Sequence, residues 1–273
     1  MMKLSVSIVL HNTNRDELIE ALESCFNSSL FVDVFLIDHS PNNKLSDFQE
    51  DKRVTYIQSN NIGFGAGHNL AIVKFKLLEN YDYHLVMNPD IKFNSEVLSN
   101  IISYMNSNKD VGVLMPKILC TDGSIQFARR LLPSPLSIAI KRFFPQLSFN
   151  DEYEMRNLEP NIPVEIIALC GCFLFFRSES LKKVGLFDNR YFMYFEDYDI
   201  CRRISSQYKT IYYPNSEVFH AGNHEHLRNM RLFFYSLKAA LKYFNKWGYF
   251  DKSRKKLNLR TMRLVKNSIK KND

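Results

Sequence analysis

The first 120 residues alternate short apolar segments with segments of helical periodicity, and this alternation constrains the fold more than any other feature. A short apolar run followed by apolar residues three and four positions apart is typical of a parallel βαβ unit. The predicted strands are 4–10, 32–38, 54–58, 84–87 and 111–115, and the predicted helices are 16–26, 67–78 and 95–106. The sequence therefore predicts an α/β domain with a mostly parallel central sheet and flanking helices.

Polar residues follow four of these predicted strands directly. In an open parallel sheet, ligands bind beyond the carboxyl ends of the strands. The four segments are His11-Asn12, Asp38-His39-Ser40, Asn60–Asn69 and Asn88-Pro89-Asp90. We therefore expect a ligand site at this edge of the sheet, with carboxylates supplied by the second and fourth segments.

A second cluster of carboxylates lies further along the chain. Glu196, Asp197 and Asp199 follow the apolar and aromatic run 191–195. A carboxylate against apolar walls has a raised proton affinity, which suits a general base. Acidic residues are also common in the first turn of a helix, where they complement the helix dipole. The residues alone leave both interpretations open.

These segments, taken in order, resemble the inverting glycosyltransferases with the GT-A fold, and in particular the rhamnosyltransferase-like members that build bacterial surface polysaccharides. The resemblance covers about residues 4–247. Its motifs are Val6–Asn12, Ile37–Ser40, Asn60–Asn69, Met87–Asp90, Asp122–Gln126, Gly185–Asp188, Phe195–Asp199 and Val218–His220. The resemblance implies an enzyme that transfers a sugar, with rhamnose as the favoured donor sugar, from a nucleotide diphosphate to a glycan or lipid-linked glycan.

The resemblance also implies a metal site and a donor site. Asp90 would bind Mg²⁺ or Mn²⁺ at the donor diphosphate, with His220 as the second protein ligand, because hard cations prefer oxygen ligands. The family usually has two carboxylates in this motif, whereas Asn88 replaces the first one here, so the identity of the metal stays open. A turn-forming Asp90 and a buried structural His220 are the alternatives. The implied donor-binding residues are Asn12, Asp38, Asn60, Gly63, Gly65, Asn69, Asn88 and Asp90.

The implied catalytic residue is Asp197, which would take the proton from the acceptor hydroxyl, and Glu196 could share this role. Gly171, Asp199 and Arg203 are the implied acceptor-binding residues. At Gly171 the missing side chain would leave room for a sugar. Asp38 has a turn-forming role as its alternative, and Gly63 and Gly65 would let the backbone approach the donor.

The net charge of +7 is concentrated at the end of the chain. Residues 251–273 contain nine basic and two acidic residues, while the other 250 residues are balanced. A neutral body with a basic tail argues against a nucleic-acid-binding domain. The tail also has an amphipathic pattern, which predicts contact with an anionic membrane, although a solvated tail is the alternative. We expect a cytoplasmic protein that is peripheral on the inner face of the cell membrane.

The domain organisation follows from these patterns. Residues 1–226 are expected to form the catalytic domain, with a nucleotide-sugar-binding half at 1–120 and an acceptor half at 121–226, and residues 227–273 to form a helix and a basic tail. The proline-rich stretch 133–163 suggests a lid or a docking element. The five cysteines suit a reducing compartment, and Cys170 and Cys172 fit a buried strand.

Two other functions remain open from the sequence. A nucleotidyltransferase that makes nucleotide sugars also uses a metal and an α/β fold, but residues 11–15 poorly match the glycine-rich loop that it needs. A non-catalytic protein that binds a nucleotide or a carbohydrate would follow if Asn88 abolished metal binding.

Overall fold

The computed structural model describes residues 2–144, 146, 147, 149–222 and 230–270. The strands are β1 Lys3–Leu10, β2 Phe31–Asp38, β3 Val54–Gln58, β4 Tyr83–Met87, β5 Ile91–Lys92, β6 Val111–Leu119, β7 Arg129–Arg130, β8 Val164–Glu165, β9 Ala168–Leu169, β10 Phe173–Arg177 and β11 Lys209–His220. The helices are α1 Arg15–Phe26, α2 Phe64–Lys74, α3 Leu77–Asn80, α4 Val97–Ser107, α5 Pro135–Phe143, α6 Phe149–Tyr153, α7 Ser178–Val184, α8 Glu196–Ile204, α9 Met230–Trp247 and α10 Lys252–Lys270, with a short 3₁₀ helix at Ser46–Glu50.

Nine of the strands form one central sheet in the order β3-β2-β1-β4-β10-β6-β11-β5, with β8 beside β11. Strands β1, β2, β3, β4, β6 and β11 run in one direction, and β10, β5 and β8 run in the other. The predicted α/β class with a mostly parallel sheet is therefore confirmed. Strands β7 and β9 form a separate antiparallel pair.

The carboxyl ends of the parallel strands meet at one edge, as the sequence predicts. Strand β10 runs against its neighbours, so it begins at this same edge, where Phe173 pairs with Met87 of β4. The turn 170–172 before β10 therefore lies beside the ends of β4 and β6. Every residue of β4 is buried, because helices cover both faces of the sheet at its centre.

Strand β11 is absent from the sequence-based prediction, although it pairs with β6 along much of its length. The register of its pairing with β6 shifts between Tyr213 and Glu217, an interval that contains Pro214, so the chain forms an irregular bulge there. The buried strand expected around Cys170 and Cys172, within the stretch 164–177, is interrupted. The structure divides this stretch into β8, β9 and β10, with Cys170 half-buried in the turn and Cys172 buried.

The two C-terminal helices pack on the rest of the chain. Tyr243 and Phe244 of α9 are buried against Phe195 and Tyr198. On α10, Val265 is fully buried in the main core, with Met262, Leu264 and Ile269 packed beside it. Within Lys252–Lys270, the apolar side of α10 therefore packs on the protein and does not face a bilayer. Contact of the basic tail with an anionic membrane stays a prediction, and residues 271–273 lie outside the described residues. Within the described ranges, no helix has the length and apolar character needed to cross a membrane.

Val265→Ala tests this docking of α10. The substitution removes buried methyl groups and leaves a cavity, so we expect the free energy of unfolding to fall by about 2 kcal/mol. Leu259 lies on the same helix with 72% of its surface exposed, so Leu259→Ala should change stability by less than about 0.5 kcal/mol. Urea unfolding measures both values, and an equal effect of the two substitutions would contradict the docked helix.

Candidate active site

A polar cleft of about 790 Å³ opens at the carboxyl ends of β1, β2 and β3. Asn12 and Asn60, both expected to bind the donor, lie in its wall. Asn12 has a left-handed backbone with φ of 52°, and its N–H donates to Ser40 Oγ at 2.8 Å. The cleft also has His39 and Gln58 in its wall. It has the polar lining and the position that a nucleotide needs.

Asp38 supports this cleft from below and does not line it. Its side chain is 1% exposed. Oδ1 accepts a hydrogen bond from the Ser40 N–H at 2.8 Å, and Oδ2 accepts one from the Tyr56 hydroxyl at 2.7 Å. Asp38 therefore holds the loop that carries Ser40, and its buried side chain does not face the cleft.

The glycine-rich segment also contacts the protein itself. A Cβ on Gly63 would lie 2.2 Å from the Phe192 carbonyl oxygen, and one on Gly65 would lie 2.8 Å from Phe187 Cβ. Asn69 is buried, and its side chain makes hydrogen bonds of 2.7 to 3.1 Å with the backbone of Phe187 and with Asn189. The side chain of Asn69 is therefore used within the protein, whereas donor contacts of the Gly63 and Gly65 backbone stay a prediction. These residues allow α2 to pack against the segment 187–192.

A histidine and a carboxylate meet at the ends of β4 and β11. His220 Nε2 lies 3.3 Å from Asp90 Oδ1 and 3.2 Å from Asn88 Nδ2. His220 Nδ1 lies 2.8 Å from Gln126 Oε1, which accepts its hydrogen and leaves Nε2 directed at Asp90. The second oxygen of Asp90 accepts the Gly222 N–H at 3.0 Å.

This pair has the geometry of two neighbouring ligands of a divalent cation. Ligand atoms about 2.1 to 2.3 Å from such a cation, in adjacent positions, lie about 3 Å apart. Burial raises the pKa of Asp90, but the hydrogen bond and charge of His220 outweigh it, so the net pKa of Asp90 lies below its ordinary value. Asp90 is thus ionised at neutral pH. Among the described residues, no group of three His, Cys, Asp or Glu side chains could hold a metal ion.

The second carboxylate cluster begins helix α8 at an unusual backbone turn. Tyr194 and Phe195 have φ values of 71° and 67°, in the left-handed region that non-glycine residues rarely adopt. Phe195 is buried and its ring packs against Tyr243 and Phe244 of α9. This aromatic packing stabilises the turn, and the turn directs Glu196 and Asp197 toward the cleft edge of the sheet.

The two carboxyl groups at the start of α8 have raised proton affinities. Burial, followed by the nearby Cys170, raises the pKa of Asp197 to about 6, although Arg130 and backbone N–H groups oppose this rise. Burial, followed by the charge of Asp197, raises the pKa of Glu196 well above its ordinary value. At neutral pH, Asp197 is therefore mainly ionised, and its proton affinity suits a general base.

The turn 170–172 connects this carboxylate to the histidine–carboxylate pair. The Gly171 N–H donates to Asp197 Oδ2 at 3.3 Å, and the Asn88 N–H donates to the Cys172 carbonyl at 2.9 Å. A Cβ on Gly171 would lie 3.3 Å from the Phe64 ring and 3.6 Å from Asp197 Cβ. Asp197, Asp90 and His220 therefore belong to one region at the carboxyl edge of the sheet.

Residues 5–185 match the model of glycosyl transferase family 2. This chain belongs to glycosyl transferase family 2. It is 28% identical over 176 residues to N-acetylglucosaminyl-diphospho-decaprenol L-rhamnosyltransferase of Mycobacterium tuberculosis, a match covering 60% of this chain and 57% of that protein. It is 28% identical over 199 residues to rhamnosyltransferase WbbL of Escherichia coli, covering 68% of this chain and 70% of that one. The matched region is therefore little more than half of the mycobacterial relative.

A crystal structure of GalNAc-T7 with UDP, GalNAc and Mn²⁺ superposes on this family 2 chain with a TM-score of 0.66 and 16% identity. The superposition covers 90% of this chain and 48% of the other. The expected GT-A fold is confirmed by this likeness.

Two residues expected to bind the acceptor have other roles in this family 2 chain. Asp199 is fully buried, and its oxygens accept hydrogen bonds from Arg203 at 2.9 Å, Trp247 Nε1 at 2.8 Å and Lys246 at 2.7 Å. Arg203 also donates to the backbone carbonyls of residues 184, 185 and 186. The acceptor-binding role of both residues is therefore corrected, because together they attach α8 to α7 and α9.

Sequence reasoning also missed Arg130, which lies close enough to Asp197 to lower its pKa. Its Nη1 donates to the Tyr198 hydroxyl at 3.4 Å, and its Nε is buried without a hydrogen-bond partner among the residues that the structure describes. Within the described ranges, Arg130 has no ion pair. Arg130 was missed because it stands next to Arg129, and two adjacent arginines without a spacing motif do not indicate a site.

The contrast between Asp197 and Asp199 can be measured as stability. Asp199→Asn removes the charge that compensates Lys246 and Arg203, so we expect a loss of about 3 kcal/mol in unfolding free energy. Asp197→Asn removes a carboxylate whose ionisation burial disfavours, so at pH 8 its unfolding midpoint should equal or exceed that of the unchanged protein. Thermal unfolding at pH 8 compares the two, and a larger loss for Asp197→Asn would contradict these roles.

Proposed function

We propose that this chain is an inverting glycosyltransferase that moves a sugar from a nucleotide-diphosphate donor to a glycan or lipid-linked glycan acceptor. The observation that carries the proposal is the raised pKa of Asp197 in a region continuous with the Asp90–His220 pair. Family membership and the polar cleft of Asn12 and Asn60 support it independently.

Asp197 is the proposed general base. Its carboxylate takes the proton of an acceptor hydroxyl while that oxygen bonds to the anomeric carbon and the bond from this carbon to the diphosphate oxygen breaks. One base is enough for inversion by direct displacement. Glu196, whose pKa is raised by burial and by the charge of Asp197, is the neighbouring carboxyl group that would share proton handling.

Asp90 and His220 are the proposed protein ligands of Mg²⁺ or Mn²⁺, and the amide of Asn88 replaces a carboxylate beside them. A divalent cation there would neutralise the charge of the leaving diphosphate. Gln126 orients His220 through its Nδ1 and so keeps Nε2 available. Asn12 and Asn60 would bind the nucleotide in the cleft, and Gly171 would border the acceptor beside Asp197.

The rhamnosyltransferase relatives support rhamnose as the transferred sugar and a polysaccharide such as O-antigen as the product. The name of the mycobacterial relative includes a diphospho-decaprenol substrate, which supports a lipid-linked acceptor here as well. Such an acceptor would require contact with the inner face of the cell membrane. The exposed basic residues of α10 supply attraction to anionic lipids.

The pH dependence of turnover tests the role of Asp197. The base must be ionised, so kcat/KM should be constant above about pH 6 and fall tenfold per pH unit below the pKa of Asp197. Asp197→Asn should lower kcat about a thousandfold.

Arg130→Met removes a charge that lowers the pKa of Asp197, so the acidic limb of the pH profile should move to higher pH, whereas Arg130→Lys should keep the limb near that of the unchanged protein.

The outcome that contradicts this assignment is near-normal turnover of Asp197→Asn together with a severe loss in Glu196→Gln. If the acidic limb of the pH profile does not move in Arg130→Met, the charge of Arg130 does not lower the pKa of the catalytic base.

A screen of nucleotide sugars tests the donor and metal sites. A bound donor at a hundred times its Kd should raise the unfolding free energy by about 2.7 kcal/mol. We expect this stabilisation to require Mn²⁺ or Mg²⁺ and to be lost in Asp90→Asn and His220→Ala. Stabilisation without any donor hydrolysis or transfer would favour a non-catalytic binding protein, and stabilisation independent of the metal would contradict the Asp90–His220 site.

A further inference from the structure

Exposed apolar side chains are concentrated on one part of the molecule. Sixteen large hydrophobic side chains are exposed among the described residues, and nine of them lie in the ranges 136–149 and 230–241. Large contiguous apolar areas are rare on monomeric soluble proteins and mark interaction surfaces.

Helix α9 is apolar on two sides, and only one side is covered. Its inner side buries Ala240, Tyr243 and Phe244 in the aromatic cluster that supports the start of α8. Met230, Phe234, Leu237 and Leu241 follow one another at spacings of four, three and four residues, so they form a single stripe along the helix. Each of the four is between 46% and 60% exposed.

Helix α5 extends this stripe. The Arg142 guanidinium lies 4.8 Å from the centroid of the Phe233 ring, so α5 and α9 are neighbours. Leu136 and Phe143 are 66% and 69% exposed on α5. We call the exposed apolar side chains of 136–149 and 230–241, together with the basic residues of α5 and α9, the α5/α9 surface.

The charges of these two helices discriminate between possible partners. Every charged residue of α5 and α9 is basic. Lys141 is paired with Glu154, and Lys246 with Asp188 and Asp199, so the positive charge of this face comes from the other basic residues. A second copy of this chain would place like charges opposite one another, which opposes self-association. An apolar face bordered by basic side chains is the pattern of helices that lie in the interface of an anionic bilayer.

We propose that the α5/α9 surface is the membrane-docking surface of this protein and that it inserts apolar side chains into an anionic lipid bilayer. The proposal deepens the proposed function, on which it rests for the lipid-linked acceptor. The apolar side of α10 is buried, so α10 contributes charge alone. Helix α9 also packs on Phe195 at the turn that begins α8, so the helix that docks is the one that supports the turn before Asp197.

Vesicle flotation of the full chain tests this surface. The vesicles contain phosphatidylglycerol and phosphatidylcholine in one set and phosphatidylcholine alone in the other. The test variant is Phe143→Ser/Leu241→Ser, and its matched control is Phe31→Ser/Val73→Ser, whose side chains are 52% and 66% exposed outside the surface. We expect the test variant to bind anionic vesicles at least about tenfold more weakly and the control to stay within about twofold.

A second variant, Phe144→Ser/Phe234→Ser, should reproduce the loss, and unfolding midpoints of all variants should match that of the unchanged protein, because the substituted side chains are exposed. Metal-dependent donor hydrolysis without vesicles should also be unchanged, which separates this proposal from the proposed function. Equal vesicle binding of test and control variants would overturn it. So would a dimer that light scattering detects in the unchanged protein and that the test variant abolishes.

Discussion

The backbone hydrogen bonds of the turn 170–172 determine where the functional groups of this protein lie. The Cys170 N–H donates to the Ala128 carbonyl, the Gly171 N–H donates to Asp197, and the Cys172 carbonyl accepts the Asn88 N–H. Three segments distant in sequence are thereby held against three consecutive residues. Because β10 runs antiparallel to β4 and β6, this turn lies at the edge where the parallel strands end, and there the Asp197 carboxylate and the metal-ligand pair belong to one site.

A second set of interactions makes the C-terminal helices part of this site. The buried Asp199 joins Arg203, Lys246 and Trp247, and the buried pair of Arg202 and Asp251 joins α8 to the start of α10. Phe195 packs on α9 in the same region and stabilises the left-handed turn before Glu196. Two carboxylates that look alike in the sequence thus have different roles. Asp197 is half-buried at the site, and Asp199 holds helices together.

Much of the fold was predictable because the strands of the first half are short, apolar and separated by helical patterns. Strand β11 was not, since Pro214 and the polar residues after it interrupt the pattern, and only the pairing with β6 compensates for the irregular register. Thr210–Tyr213, rich in β-branched and aromatic residues, was the available signal. The amphipathic pattern of α10 was real, but a pattern cannot show whether an apolar side faces lipid or the protein itself.

The candidate site was predictable where a residue type implies its chemistry, as with Asp90, His220 and Asp197 brought to one edge. The role of a residue was not predictable where its polar side chain makes its hydrogen bonds within the protein. Asp38, Asn69, Asp199 and Arg203 are polar residues beside motif positions, yet their hydrogen bonds are satisfied within the protein. Arg130 differs from them, because its buried Nε has no hydrogen-bond partner in the described part of the chain while its charge acts on Asp197. Only three-dimensional contacts distinguish these cases.

Anomalous diffraction at the manganese edge, from crystals grown with Mn²⁺ and a nucleoside diphosphate, tests the central arrangement most directly. We expect one strong peak within about 2.3 Å of both Asp90 Oδ1 and His220 Nε2, with diphosphate oxygens completing the coordination. A peak bound to the diphosphate but remote from this pair would contradict it.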